Sequence, residues 1–433
     1  MLPFAAVCAL LGTSADTAAP PAVVTFSPPD LLPPQVACEY CANWVTYRAG
    51  KKRGSWNTAI LGDGSQFVSS DGGRTVNNMT SAGGGQGWPF VRMPDGSLHN
   101  TGSAGHGGGF KNSTGSSWPS STWWNVTDDG IVHAHNDGPA ASFTGLPAPL
   151  VCNSSDDCMY GAGWAAWSQA ARLSDGTFVA CTAAIWLCGH FAVPAELAGI
   201  HAWASNDSYH WAWVGRAAAL TELPGYPEWF GPGEGPNEHD MVLLSDATTL
   251  LVVFRVDGND GVPPYCGVHH SPKNYHSSFS SDGGRTWMTP TAMHDATGRG
   301  MGTAYPRLLM LGGEDGVPKR LLLSGGRVFT EGVVDIEIWV NSDGMGRQWD
   351  QVHSIAYQHD RLASVVTPTH KPVPQLSKWV NLSDTSGSTT SYVSLLKLDP
   401  ETALVVYSCD IAQNQNKSET GDMKTFSMRV TLM

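Results

Sequence analysis

The chain of 433 residues contains 49 Gly, 28 Pro and 17 Trp, while only 15% of its residues are charged. This composition indicates many turns and buried aromatic side chains rather than long helices, and it predicts an all-β fold. The formal net charge is -13 and no basic cluster occurs, which argues against nucleic acid as a partner. No apolar run is long enough to cross a bilayer, so we do not expect a membrane-spanning protein.

The N-terminal region is expected to lie outside the folded domain. An apolar stretch within residues 1–15 is followed by small side chains that would permit cleavage after Ala15, as in a secretory signal peptide. The Pro-rich segment 16–37, which includes AAPPAVVTFSPPDLLPPQ, is predicted to be an extended lead-in. A single domain is then expected over 38–433, in a secreted protein or one in the lumen of the secretory pathway.

The cysteines and glycosylation sequons fit a secreted protein. Removal of the signal peptide would take away Cys8 and leave eight of the nine cysteines, and an even number favours disulfides of open connectivity. The CEYC stretch at Cys38 could instead be a redox or metal motif, but no second such pair supports that reading. Seven Asn-x-Ser/Thr sequons are typical of a glycosylated surface: Asn78, Asn112, Asn125, Asn153, Asn206, Asn381 and Asn416.

Five segments share one pattern, which is an apolar strand, a turn usually built on Asp or Gly, and a second apolar strand. Such repeated hairpins at wide spacing predict propeller blades of several strands each. In chain order, the five segments are 90–100, 171–185, 239–258, 304–326 and 391–410.

A polar turn sequence occurs twice, as SSDGGRTV at 69–76 and as SSDGGRTW at 280–287. The pattern SxDxGxTW predicts a turn in which Ser and Asp accept hydrogen bonds from local backbone amides and Gly adopts a positive φ. SNDSYHW at 205–211 and NSDGMGRQW at 341–349 are degenerate copies. The pattern resembles the Asp box, or BNR repeat, of the sialidase (neuraminidase) superfamily, which implies an all-β fold that is a six-bladed β-propeller. Asp boxes are structural, so they say nothing about catalysis by themselves.

Further stretches resemble exo-sialidases in chain order. PFVRMPDGSL resembles the first arginine strand and nominates Arg92, while GPNEHDMVLLSDATTLLVVFR resembles the segment that carries a glutamate and an arginine. The resemblance therefore assigns Glu238 and Arg255 to the site, and TTSYVSLLKLDPETALVVYS gives Tyr392 as the nucleophile. LLLSGGR nominates Arg327 as the third arginine, with Arg307 in YPRLL as the competing choice.

The chemistry of a sialic acid explains this residue set. Three guanidinium groups can bind its carboxylate through paired planar donors. The same carboxylate would repel an ionised Asp or Glu nucleophile, so a neutral Tyr392 deprotonated by Glu238 suits the attack on the anomeric carbon. The general acid is unassigned, because residues 96–127 contain no Asp or Glu; Asp128 and Asp129 are the next candidates, and His106 is a less usual one.

The resemblance implies a glycoside hydrolase of the exo-α-sialidase type, acting on sialylated glycans or other anionic glycoconjugates without a cofactor. A non-catalytic carbohydrate-binding protein of the same fold is the main alternative, because the acid position is empty. A propeller glycosidase of other specificity that uses an Asp pair is a third. His269, His270 and His276 have no carboxylate or Cys at ligand spacing, so no metal site is expected.

Overall fold

The structure is a computed structural model and describes residues 21–32, 45–48, 59–61, 67–69, 71, 74, 77–78, 90–94, 97–100, 122–126, 132–135, 142–145, 168–184, 198–226, 235–257, 272–314, 316–326, 336–367, 371–376, 389–410 and 423–433. Within these residues the protein is mainly β, with one short α-helix, Ile355–Leu362 (α1), and a 3-10 turn at Leu220–Glu222. No helix in this part of the chain is long and apolar enough to cross a membrane.

Every apolar segment predicted as a hairpin forms one, which confirms the five predicted hairpins. The strands alternate in the chain with short turns, as the repeated pattern requires. In order they are Val24–Phe26 (β1), Asp30–Leu31 (β2), Val45–Arg48 (β3), Ala59–Leu61 (β4), Phe67–Ser69 (β5), Asn77–Asn78 (β6), Phe90–Arg92 (β7), Leu98–Asn100 (β8), Thr122–Val126 (β9), Val132–His135 (β10), Ser142–Thr144 (β11), Ala171–Arg172 (β12), Phe178–Ala184 (β13), Gly199–Ser205 (β14), His210–Ala219 (β15), Gly235–Leu243 (β16), Leu250–Asp257 (β17), Pro272–Ser280 (β18), Thr291–Ala292 (β19), Arg307–Leu311 (β20), Arg320–Gly326 (β21), Ile336–Asn341 (β22), Gln351–Ser354 (β23), Thr389–Lys397 (β24), Thr402–Asp410 (β25) and Met423–Leu432 (β26).

The described strands form six sheets that follow one another along the chain. The first is β3 to β6, the second β7 to β10, the third β12 to β15, the fourth β16 to β19, the fifth β20 to β23 and the sixth β24 to β26 with β1. Pairing within each is antiparallel, apart from β11, which adds to β15 in parallel. Neighbouring sheets contact through their first strands, β16 with β20 and β20 with β24, so the fold is propeller-like.

The Pro-rich segment needs correction, because it is not merely a lead-in ahead of the domain. Its residues Val24–Phe26 pair with β26 and complete the sixth sheet. Ala22 and Leu32 on either side are buried. The segment is extended as expected, but its pairing makes it part of the fold, because it covers the edge of β26.

The first strands of the fourth, fifth and sixth sheets run in the same direction. The carbonyl of Ser245, just beyond the end of β16, accepts a hydrogen bond of 3.0 Å from the Lys319 ammonium in the turn after β20. The Gly312 amide, just beyond the end of β20, donates a 2.7 Å hydrogen bond to the Pro400 carbonyl in the turn after β24. We call the end where β16, β20 and β24 begin the upper end and the opposite end the lower end.

The turn at 280–287 has the hydrogen bonds that its sequence predicts. Oδ1 of Asp282 accepts from the Arg285 and Thr286 amides at 3.0 and 2.9 Å, and Oγ of Ser280 accepts from the Gly284 amide at 3.0 Å. Gly284 has a φ of 86° and packs against the third sheet, where a Cβ would lie 3.2 Å from Val179. The degenerate copy at 205–211 repeats the arrangement, with Asp207 accepting from the His210 amide at 2.8 Å.

These Asp turns all connect the third strand of a sheet to the fourth. The turn at 280–287 follows β18, whose last residue Ser280 pairs with Leu250, the first residue of β17. That pairing puts the turn at the lower end. The Asp turns therefore connect strands at the end opposite to the starts of β16, β20 and β24, as expected of structural staples.

One cysteine departs from the expected disulfide pairing. Cys181 is a free and fully buried thiol whose Sγ lies 3.5 Å from Sδ of Met241 in the core between the third and fourth sheets. Burial raises the pKa of this thiol, so it stays protonated and behaves as a small apolar side chain. The prediction from the even cysteine count is wrong for Cys181, and the remaining cysteine side chains lie outside the described residues.

Candidate functional site

The upper end of the fourth sheet brings Glu238 and Arg255 together. Nη1 of Arg255 donates to Oε2 of Glu238 at 2.9 Å, and the two side chains are only 9% and 17% exposed. Glu238 lies near the start of β16 and Arg255 near the end of β17, which coincide in an antiparallel pair. Register shifts occur in β16 between Pro236 and His239 and in β17 between Phe254 and Val256. Such bulges re-aim side chains, and here they flank both members of the ion pair.

Arg307 also lies at the upper end, but its side chain is enclosed between two sheets. It is 1% exposed, and its Nη1 lies 3.8 Å from Oδ2 of Asp240, a fully buried carboxylate on β16. Its guanidinium also lies over the ring of Tyr305, 5.6 Å from the centroid. Burial raises the pKa of Asp240, against the lowering effect of Arg307. The enclosure favours a role for Arg307 in joining the fourth and fifth sheets.

The remaining predicted residues are only partly described. Arg92 is the last residue of β7 in the second sheet, and it is exposed. Tyr392 lies in β24 beside Val393, which pairs with Tyr407, but its side chain lies outside the described residues. Arg327, which follows β21 in the sequence, is also outside them.

Asp128, Asp129 and His106 lie outside the described residues as well. In the sequence, the two aspartates fall between β9 and β10, the third and fourth strands of the second sheet. The same connection carries the Asp-containing turns of the first, third, fourth and fifth sheets. Their sequence position therefore matches that of the structural turns, which weakens their nomination as the general acid.

Three further residues at the upper end escaped sequence reasoning. Tyr275 of β18 is fully buried, and burial together with the charge of Glu238 raises the pKa of its phenol. Tyr305, just before β20, is also buried, and burial raises its pKa. Glu337, near the start of β22, is buried and joined to Arg299. Neither tyrosine belongs to a recognisable motif, and an isolated Glu in a strand gives no sequence signal.

His276 makes a local hydrogen bond within its own strand. Its Nδ1 lies 2.9 Å from the carbonyl of Asn274, to which it donates. Burial lowers the pKa of His276 and keeps its ring neutral. Its possible partners His269 and His270 lie outside the described residues.

Comparison with solved structures finds proteins of similar fold. A crystal structure of a protein of unknown function from Dyadobacter fermentans is similar over 95% of this chain and 99% of its own, with a TM-score of 0.50 and 14% identity. The similar structures also include the GH93 α-L-arabinofuranosidase of Fusarium graminearum in complex with arabinobiose, at TM-score 0.47 and 11% identity, covering 94% of this chain and 98% of its own. The Trypanosoma rangeli sialidase in complex with sialic acid follows at TM-score 0.41 and 13% identity, covering 94% and 54%.

At 14% identity, the similarity to the Dyadobacter fermentans structure shows a shared fold alone. The sequence matches no protein-family model and no curated protein.

Proposed function

We propose that the protein is a secreted glycoside hydrolase on a six-bladed β-propeller, and that it removes a terminal sialic acid or a related 2-keto acid sugar with retention of configuration. The observation that carries the proposal is the buried Glu238–Arg255 pair at the upper end of the fourth sheet. A carboxylate base held beside a guanidinium group is the combination that attack by a neutral tyrosine on an anionic sugar requires.

The proposed reaction proceeds through Tyr392. As Glu238 takes the phenolic proton, the Tyr392 oxygen bonds to the anomeric carbon and the bond from that carbon to the leaving oxygen breaks. The leaving oxygen acquires a proton from a general acid, or departs as the anion when it belongs to an acidic phenol. Water then attacks the anomeric carbon of the tyrosyl intermediate from the face that the leaving group vacated, and it gives up a proton to the conjugate base of the general acid or to solvent. The bond to the Tyr392 oxygen breaks and Glu238 returns its proton to that oxygen, which restores the phenol and gives net retention.

Arg255 would bind the substrate carboxylate together with Arg327. In the absence of a ligand its charge is balanced by Glu238 at 2.9 Å. A sugar carboxylate would replace Glu238 at Arg255, because the two carboxylates compete for the planar fork of N–H donors on the guanidinium. Arg307 is set aside as a direct ligand, because it is enclosed against Asp240.

The test is hydrolysis of a fluorogenic aryl sialoside by the purified protein. Such a substrate has a good leaving group and barely needs the general acid, so the parent should be active. Tyr392→Phe should lose at least roughly a thousandfold in rate, since it removes the nucleophile. Tyr357→Phe, which changes a tyrosine exposed on α1, is the matched control and should keep parental activity.

The alternative of a carbohydrate-binding protein makes a different prediction in the same assay. The folded parent would then release no fluorophore yet bind free sialic acid. Release of the fluorophore from an aryl arabinofuranoside but not from the sialoside would contradict both readings and leave a glycosidase of other specificity.

A further inference from the structure

The ring of Tyr275 occupies a slot that two glycines keep open. A Cβ built on Gly302 would lie 1.9 Å from Cε2 of the ring, and one built on Gly325 would lie 1.7 Å from the phenolic oxygen. Neither position therefore accepts a larger residue while the ring stays in place. The indole of Trp339 closes the slot at a centroid distance of 6.1 Å in an edge-on contact. The sequence thus fixes the Tyr275 ring in one position.

Among the described residues, the hydroxyl group at the tip of this ring has no acceptor for its proton. It is buried, and no hydrogen-bond partner lies within reach among the described residues. The Ala304 backbone amide lowers the pKa of the phenol, but no hydrogen bond joins the two groups. A buried hydroxyl without a partner destabilises a fold. The presence of Tyr rather than Phe at position 275 therefore needs an explanation.

Tyr275 lies in the same sheet as the Glu238–Arg255 pair, near the same end. Arg255 falls at the register shift of β17, opposite the part of β18 that holds Tyr275, and Glu238 lies on the next strand across. The charge of Glu238 raises the pKa of the phenol and that of Arg255 lowers it. Glu238, Arg255 and Tyr275 therefore form a row across three neighbouring strands, with Arg255 in the centre.

We propose that Tyr275 is a positioning residue whose hydroxyl is the reserve hydrogen-bond donor of Glu238. The Tyr275 hydroxyl makes no hydrogen bond while Arg255 is paired with Glu238. It donates to the Glu238 carboxylate when Arg255 binds an anionic ligand instead. A role of Tyr275 in substrate binding rests on the proposed function. The exchange of Arg255 for Tyr275 as the hydrogen-bond donor to Glu238 does not. The exchange prevents a buried carboxylate from being left with too few donors.

A double-mutant cycle tests the exchange without any substrate. Tyr275→Phe in the parent protein should leave the urea midpoint unchanged or raise it, because it removes an unpaired hydroxyl. In an Arg255→Met background, where Glu238 has lost its cation, the same change should lower the midpoint. Arg255→Gln is a second background if the methionine variant does not fold.

Tyr407→Phe is the matched control for this cycle. Tyr407 is equally buried, but its hydroxyl is 2.7 Å from Nδ1 of His359. Its removal should lower the midpoint by the same amount in both backgrounds. Equal effects of Tyr275→Phe in both backgrounds would overturn the proposal.

Kinetics with the aryl sialoside give the functional readout. Tyr275→Phe should raise KM roughly 10-fold to 100-fold with kcat little changed, as expected when a hydrogen bond to a charged group is lost equally from the bound and transition states. A parental KM would show that Tyr275 plays no part in ligand binding. If the parent does not hydrolyse the sialoside but the effect of Tyr275→Phe differs between the two backgrounds, the proposed function is contradicted. The exchange of donors to Glu238 is then still supported.

Discussion

Arg307 and Asp240 join two sheets through a pair of opposite charges that are almost completely enclosed. Nη1 of Arg307 and Oδ2 of Asp240 are 3.8 Å apart, and the side chains are 1% and 2% exposed. The same carboxylate oxygen accepts a 2.8 Å hydrogen bond from the Leu308 amide. Asp240 on β16 is thereby tied to the first two residues of β20.

Removal of the cation from this pair should be costly. Arg307→Met would leave Asp240 buried without its partner and should lower the free energy of unfolding by about 3 kcal/mol or more. Chemical denaturation measures the change, and Arg361→Met, at an exposed position of α1, is the control. An Arg307 variant of parental stability that has lost sugar binding would return Arg307 to the ligand set.

The Asp turn at 280–287 should matter for stability and leave activity intact. Asp282→Ala removes the acceptor of the Arg285 and Thr286 amides and of the Thr286 hydroxyl. We expect a loss of about 1–2 kcal/mol in unfolding free energy. Since the turn is at the lower end, kcat/KM for an aryl sialoside should stay within twofold of the parent.

Asp343→Ala is the control for this change. Asp343 is exposed, and in the degenerate copy of the turn at 341–349 it accepts a hydrogen bond from the Met345 amide. Its effect on stability should be smaller. Loss of activity in a fully stable Asp282 variant would contradict the assignment of a structural role.

His359 should make stability fall in mild acid. Burial lowers the pKa of His359, whose Nε2 donates to the Pro374 carbonyl at 2.9 Å while its Nδ1 accepts from the Tyr407 hydroxyl at 2.7 Å. A histidine with a depressed pKa in the folded state stabilises the fold fully above its unfolded pKa, and that contribution is lost as pH falls. Below about pH 6.5 the free energy of unfolding should therefore decline, by up to about 1.4 kcal/mol per pH unit for this one group.

Denaturation at several pH values between 7.5 and about 5 checks this, over the range set by the unfolded histidine pKa. His359→Asn, which cannot take up the proton, should have a shallower slope than the parent. His210→Asn is the control at an exposed histidine and should keep the parental slope. An unchanged slope in the His359 variant would contradict the account.

A single methyl group added to the slot around Tyr275 should destabilise the fold. Gly325→Ala would put a Cβ 1.7 Å from the phenolic oxygen, so the ring must move. Overpacking of this kind should cost about 1–3 kcal/mol. The double variant Gly325→Ala with Tyr275→Leu should recover part of that loss, and the absence of any recovery would show that the strain lies elsewhere.

Local patterns in the sequence were enough to predict the hairpins and the Asp turns. Asp282 and Ser280 accept hydrogen bonds from amides within a few residues, so the motif itself contains all the residues that form the turn. Glu238 and Arg255 come from a single segment that resembles the sialidase family, and an antiparallel hairpin necessarily brings the start of one strand to the end of the next.

Features that depend on a neighbouring sheet could not be predicted. Arg307 is buried because Asp240 of another sheet faces it, and Tyr275 is enclosed by Gly302 and Gly325, which are distant in the chain. Cys181 resembled a disulfide candidate because a count of cysteines does not reveal which thiols lie between packed sheets. The pairing of the Pro-rich segment with β26 joins the two ends of the described chain, which no local pattern reveals.

We propose that the upper end of these sheets recognises a sugar through its carboxylate. Isothermal titration of sialic acid and of its methyl ester into the parent and into Arg255→Met tests this most directly. The account predicts that the parent binds the acid at least roughly tenfold more tightly than the ester, and that Arg255→Met abolishes the difference. Equal binding of acid and ester by the parent, or binding of neither, would contradict it.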